Sequence, residues 1–259
     1  MKIFKWNIPG ITGSTLKMIA IIAMLIDHIG AVIIAKMLVT QEFITAAVNG
    51  EKGGILQELI ISRELYDIYY LLRNIGRIGF PIFCFLLVEG FTYTKNKKNY
   101  ALRLAVFACI SEIPFNLGIA GNLFDYNYQN VFFTLLIGLL MMIILEKIEC
   151  YEQWNVVVRG FYSCVIVGIA LVSAEFLNTD YAAYGIMSIL LLYIFRYQKW
   201  KQIFFGALSF LWESPALAAF IPIAFYNGKR GWNMKYVFYI FYPVHLIVLY
   251  GIWQYFYYY

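Results

Sequence analysis

Nine apolar runs follow one another along this chain, at about 16–38, 68–91, 101–119, 131–145, 156–177, 182–195, 202–213, 215–227 and 236–256. A helix needs roughly 20 mostly apolar residues to cross a bilayer, and in hydrocarbon it satisfies its own backbone. The sixth to eighth runs are short, so their helices are expected to be tilted, broken or partly re-entrant. Composition leaves little alternative. Of 259 residues, 62% are hydrophobic and 14% charged, against about 25% charged in soluble domains. A soluble fold of this size cannot hide so much apolar surface, whereas a lipid bilayer accommodates it. Aromatic residues, at 19%, suit belts at two membrane interfaces. The expected fold is all-α: a polytopic integral membrane protein of about nine (eight to ten) transmembrane helices, one domain over 1–259, multi-pass in the cell membrane.

Loop charges test the count. Lys2 and Lys5; Lys95, Lys97 and Lys98; Lys147 and Arg159; Arg196, Lys199 and Lys201; and Lys229, Arg230 and Lys235 fall in loops on one side. The opposite loops carry Asp125, Asp180 and Glu213. This alternation puts the N-terminus in the cytoplasm and the C-terminus outside. It also accounts for the net charge of +5 without a nucleic-acid partner. The one long loop, 39–67, is net acidic, and its stripe of Ile55, Leu56, Leu59, Ile60 and Tyr66 predicts a short helix on the outer surface. No small-residue cleavage site follows the first run, which reads as an uncleaved span. The four cysteines form no CxxC pair, so neither a disulfide framework nor a metal site is expected. No Walker loop, GxGxxG, HExxH or serine nucleophile elbow is present, which excludes a soluble-type nucleotide fold.

Depth is more informative than composition. Counted at about 1.5 Å per residue, Asp27, His28, Arg77, Glu112 and His245 all fall near the bilayer midplane. Arg73 lies one turn from Arg77 on the same face, nearer the outside; Glu89 and Arg103 lie toward the cytoplasmic end. A central charge costs roughly 2.5–3.5 kcal/mol on insertion scales, so several at one depth require mutual pairing or a polar cavity. Both histidines of the chain are in this set, and histidine is the side chain best tuned for proton transfer near neutral pH. Asp27 and His28 point about 100° apart on a helix. Asp27 is therefore expected to pair with Arg77 or to orient a histidine from another helix. A structural ion-pair network that fastens helices is the alternative. The loop Lys95-Asn96-Lys97-Lys98-Asn99-Tyr100, with Arg103 beyond it, is a basic cluster: an orientation signal touching anionic lipid, or a site for a phosphate-bearing cosubstrate.

Several ordered segments then carry a resemblance. They are Leu16-Lys17-Met18-Ile19-Ala20 with Met24-Leu25-Ile26-Asp27-His28-Ile29-Gly30, Arg73-Asn74-Ile75-Gly76-Arg77-Ile78-Gly79-Phe80-Pro81-Ile82-Phe83, Val88-Glu89-Gly90-Phe91, and Tyr100-Ala101-Leu102-Arg103-Leu104. Ser111-Glu112-Ile113-Pro114-Phe115-Asn116, Asn130-Val131-Phe132-Phe133-Thr134 and Phe241-Tyr242-Pro243-Val244-His245-Leu246 complete the set. Together they resemble the TraX family, densely over about 16–135 and again at the C-terminal end. The resemblance implies a transmembrane acyltransferase-like domain, with acetyl-CoA as cytoplasmic cosubstrate and no metal. The acceptor it implies is pilin-like or another envelope molecule, reached from the membrane or the outside. In that reading His28 is the general base, Asp27 and Glu112 orient and balance charge, and Arg77, with Arg73, stabilises the oxyanion or holds the network. His245 is a second proton carrier or the alternative base. Lys95, Lys97, Lys98 and Arg103 hold the CoA phosphates. The rival classes are a proton-coupled transporter, whose usual repeat symmetry is absent here, and a structural component of a secretion or pilus machine.

Overall fold

A computed structural model describes residues 10–39, 55–233 and 235–258. Lys2, Lys5 and most of the 39–67 loop lie outside them. The described chain is helical throughout, with no strand assigned among the described residues. Helix α1 runs Gly13–Val39 and passes through a π-helical stretch at Ile29–Ile34. It is followed by α2 (Ile55–Gly76), α3 (Gly79–Tyr93), α4 (Lys97–Ile119), α5 (Val131–Glu149), α6 (Val156–Phe176), α7 (Ala182–Ile194) and α8 (Lys199–Leu208). A 3-10 turn (Ser214–Ala219) leads into the short α9 (Phe220–Ala224), and α10 (Lys235–Tyr258) closes the chain. The helix expected on the outer surface at 55–66 is the first part of the longer α2.

Among the described residues, six helices are long and apolar enough to cross a membrane: Gly13–Val39, Arg63–Tyr93, Lys97–Ile119, Val131–Glu149, Val156–Phe176 and Tyr236–Phe256. The remaining three of the nine runs form shorter pieces. Helix α7, at 13 residues, spans about 20 Å, less than a hydrocarbon core. Its apolarity has a different cause: Ile186, Ile189, Leu192 and Tyr193 are fully buried, packed among α3, α5, α6 and α8. A Cβ on Gly138 of α5 would press on Ile189, so a small residue lets these two helices close up. By contrast α6 turns Val157, Phe161, Ile169, Val172 and Phe176 outward, as a lipid-facing helix does.

Asparagines set three of the helix starts. The side chains of Asn96, Asn130 and Asn155 accept backbone N–H groups of α4, α5 and α6 respectively, filling donors that no helical carbonyl reaches. Helix α1 begins differently. Thr12 caps it, and its first N–H groups, those of Gly13 and Ser14, donate to the carbonyls of Lys229 and Arg230 at 2.8 and 3.0 Å. The 225–230 loop is thereby laid against the start of α1.

Contacts define two ends of the bundle. At one, Lys97 pairs with Glu146, Arg196 with Glu149 at 3.1 Å, and Arg159 donates to the Glu149 carbonyl. This end gathers the basic loops, which the sequence assigns to one side. At the other, the 120–130 and 177–181 loops join through Gln129 and Asn178, and Glu213 reaches Arg77.

Candidate active site

The two histidines meet. His28, at the last α-helical position of α1 before its π stretch, and His245, in the first half of α10, place Nδ1 and Nε2 2.6 Å apart. Both are buried, and their rings stack with centroids 4.9 Å apart. The other nitrogen of His245, Nδ1, lies 2.8 Å from the carbonyl oxygen of Phe241. A carbonyl only accepts, so with both rings neutral the protons are fixed by elimination. His245 Nδ1–H donates to Phe241, His245 Nε2 is an acceptor, and His28 Nδ1–H donates to it. His28 Nε2 is then left with a free lone pair. Of the two rings, the geometry gives His28 the basic nitrogen.

The other midplane charges arrange themselves around this pair in ways the sequence only partly foresees. Asp27 does not pair with Arg77 but with Arg73, at 2.5 Å. The reason is the break between α2 and α3: Arg73 remains on α2 facing α1, while Arg77 sits in the Gly76–Gly79 turn and is directed away. Arg77 Nε meets Glu213 at 2.9 Å and Arg77 Nη1 lies 3.4 Å from the Tyr181 hydroxyl. Tyr181 is itself unusual, with φ of 64° in the left-handed region that non-glycine residues rarely adopt, and its ring lies flat on Phe80. Glu112 turns to the start of α5, where Asn130 Nδ2 donates to it at 2.5 Å and to the Ala108 carbonyl at 2.9 Å. It holds a helix junction rather than touching the histidines.

Asp180 completes the far end. Tyr128 donates its hydroxyl to the Asp180 carboxylate and Thr134 donates to its carbonyl. Burial pushes the Asp180 pKa up to about 6, against the opposing effects of the Tyr128 hydrogen bond and Arg77. A carboxylate raised in the fold adds stability while protonated and loses it as pH rises from the unfolded value, about 3.9, toward the folded one. The wild-type thermal midpoint is therefore expected to fall from about pH 4.5 to about pH 7, and Asp180→Asn to flatten that fall. An Asn variant that kept the full wild-type slope in a melting series would contradict this account.

From the basic end a cavity of about 550 Å³ enters the bundle. Its lining carries the charged groups of Lys17, Arg103, Arg230 and Glu89 and the apolar side chains of Met24, Phe83, Phe132 and Leu135, and Tyr242 borders it as well. Tyr242 is its link to the histidines, set edge-on to His28 at 5.8 Å and to His245 at 5.7 Å. Lys95, Lys97 and Lys98 line a shallower groove with Lys147, which shares Tyr93 and Thr94 with the main cavity. Lys97 is engaged by Glu146 and by the face of Phe91 at 4.1 Å. Arg103 is thus brought to the cavity and the lysines beside it.

Lys17, Arg230, Glu213, Asp180, Tyr181 and Tyr242 escape a reading by depth. Asp180 and Glu213 are legible only as loop charges. Lys17 and Arg230 meet because the 225–230 loop lies on the start of α1.

A family model described as "TraX protein" matches residues 12–253. The chain is similar to the probable fimbrial assembly protein FimC, serogroup H1, of Dichelobacter nodosus. The two are 29% identical over 212 residues, which covers 70% of this chain and 82% of that protein. No solved structure matches the chain.

Proposed function

Because the chain belongs to the TraX family, we propose that it is a membrane-embedded acetyltransferase. In this reading acetyl-CoA is the cytoplasmic donor, and the acceptor is a pilin-like protein amine or another envelope amine or hydroxyl. The similarity to a fimbrial assembly protein supports a pilin-like acceptor. The observation that carries the reading is a buried histidine pair set against Tyr242, a residue of the wall of a cavity that also carries Lys17, Arg103 and Arg230. Such a cavity suits a ligand with an anionic head and a slim, largely uncharged arm. Its volume falls within the roughly 300–1,000 Å³ of small-molecule sites. Arg103, Lys17 and Arg230, with Lys95, Lys97 and Lys98 in the adjoining groove, hold the phosphates. The basic end faces the cytoplasm with the N-terminus, as the positive-inside rule requires. His28 removes the acceptor proton and His245 fixes the His28 tautomer and takes up positive charge as it forms. The Asp27–Arg73 and Arg77–Glu213 pairs and Glu112 balance charge and hold α1, α2 and α5 in register around the pair.

The test is incubation of the purified full chain with labelled acetyl-CoA and membrane extract. Label reaching an acceptor is the expected result. No transfer from wild-type protein, or proton-linked uptake in liposomes without CoA, would sink the reading. Charge reversal at Lys97, Lys98 and Arg103 together is expected to raise the KM for acetyl-CoA at least tenfold with kcat little changed, since the loss of even one charged contact to a phosphate removes about 1.5–3 kcal/mol. Unaltered acetyl-CoA affinity would remove these three from the donor site.

A further inference from the structure

As an acceptor adds to a thioester, negative charge grows on the carbonyl oxygen, and in a dry interior it must find a fixed hydrogen-bond donor. The two arginines nearest the histidines are already engaged, Arg73 by Asp27 and Arg77 by Glu213. Five phenols line the cavity, those of Tyr93, Tyr100, Tyr226, Tyr239 and Tyr242. Of these, Tyr242 is the one set against both histidine rings. It borders the cavity, is only 2% exposed, and touches both histidine rings edge-on. The Phe132 ring braces it at 4.9 Å. A phenol can donate as well as accept, so the Tyr242 O–H can serve a ligand oxygen in the cavity.

We propose that Tyr242 is a catalytic residue whose O–H donates to the carbonyl oxygen of the acyl thioester. This rests on the acetyltransferase reading above. The acceptor nitrogen or oxygen forms a bond to the carbonyl carbon while His28 Nε2 takes its proton. The C–S bond then breaks, and the sulfur leaves with that proton as the free thiol. Tyr242 stays protonated throughout, with its hydrogen bond strongest when the oxygen is most negative. Tyr242 belongs to the cavity wall and lies against both histidine rings, which sets the donor beside the base.

Tyr242→Phe keeps the ring and its packing and removes the donor alone. With labelled acetyl-CoA and membrane extract, we expect kcat to fall about 100-fold, the usual loss for one oxyanion donor, with KM for acetyl-CoA within about twofold of wild type. Replacing Tyr242 with 3-fluorotyrosine, a more acidic phenol of nearly the same shape, is expected to retain turnover within a few-fold. Melting curves and acetyl-CoA titration of each variant check that it folds and binds. Wild-type turnover in Tyr242→Phe overturns this assignment and leaves the acetyltransferase reading intact, as does a loss of acetyl-CoA binding without loss of kcat. Loss of turnover in the fluorotyrosine protein as deep as in Phe also overturns it. No transfer from wild-type protein instead removes the reading on which the assignment stands.

Discussion

His28→Ala is expected to lower turnover by about 10²–10⁴-fold, the range for removal of a general base, with the acetyl-CoA titration unchanged. His245→Ala is expected to lower it less, by about tenfold to a hundredfold. The difference follows from the proton positions. His245 presents Nε2 to His28 only as an acceptor, because its Nδ1–H is committed to the Phe241 carbonyl. Removing it leaves the base in place but its Nδ1–H buried without a partner, at about 1–3 kcal/mol, and free to exchange the proton to the wrong nitrogen. A carbonyl-bearing side chain restores part of that acceptor, so His245→Gln should exceed His245→Ala in turnover. Full activity in both alanine variants would falsify the mechanism. A dead His245→Ala beside an active His28→Ala would reverse the roles of the two rings.

The histidine pair was the legible part of the site. Two histidines at one depth in separate apolar runs can meet if the first and last helices pack together, and α1 and α10 do. Their charged neighbours were harder to read, for a local reason. Arg73 and Arg77 are four residues apart and share a face on any continuous helix; only the turn at Gly76–Gly79 separates them and sends Arg77 to Glu213. The helix count was obscured by a different ambiguity. Hydropathy rewards burial in protein as much as burial in lipid, so α7, sealed inside the bundle, reads like a span although it is 13 residues long. Tyr242 could not be picked out among 22 tyrosines by composition or depth, because its role depends on three separate elements meeting: α10, the end of α1's regular turn, and the start of α5. Arg103 needed no such assembly, since its place near a helix start on the basic side already put it at the cavity mouth.

Gly76→Ala is expected to damage both stability and turnover. A methyl group built on Gly76 overlaps the Cβ, Cγ and Oδ1 of Asp27, so α1 and α2 must separate or Asp27 must leave Arg73. Overpacking of this kind costs about 1–3 kcal/mol. Breaking a buried pair costs about 3–5 kcal/mol, to be discounted here because the Asp27 and Arg73 side chains are 16% and 22% exposed. A loss of about 2–4 kcal/mol in unfolding free energy is the combined expectation. Gly30 shows that the contact cannot relax by sliding, since a Cβ there would lie 3.2 Å from Leu72. The consequence for activity should exceed that for stability. His28 follows Asp27 directly, and its 2.6 Å contact with His245 tolerates little displacement of α1. Turnover measured well below the melting temperature should therefore fall at least tenfold. Gly76→Ala and Asp27→Ala act on the same Asp27–Arg73 pair, and the truncation removes the Cγ and Oδ1 overlaps though not that of Cβ, so the double variant should be less destabilised than the two single losses summed. Strict additivity in that cycle, or wild-type turnover in Gly76→Ala, would show that the close approach of α2 to Asp27 does not position the pair.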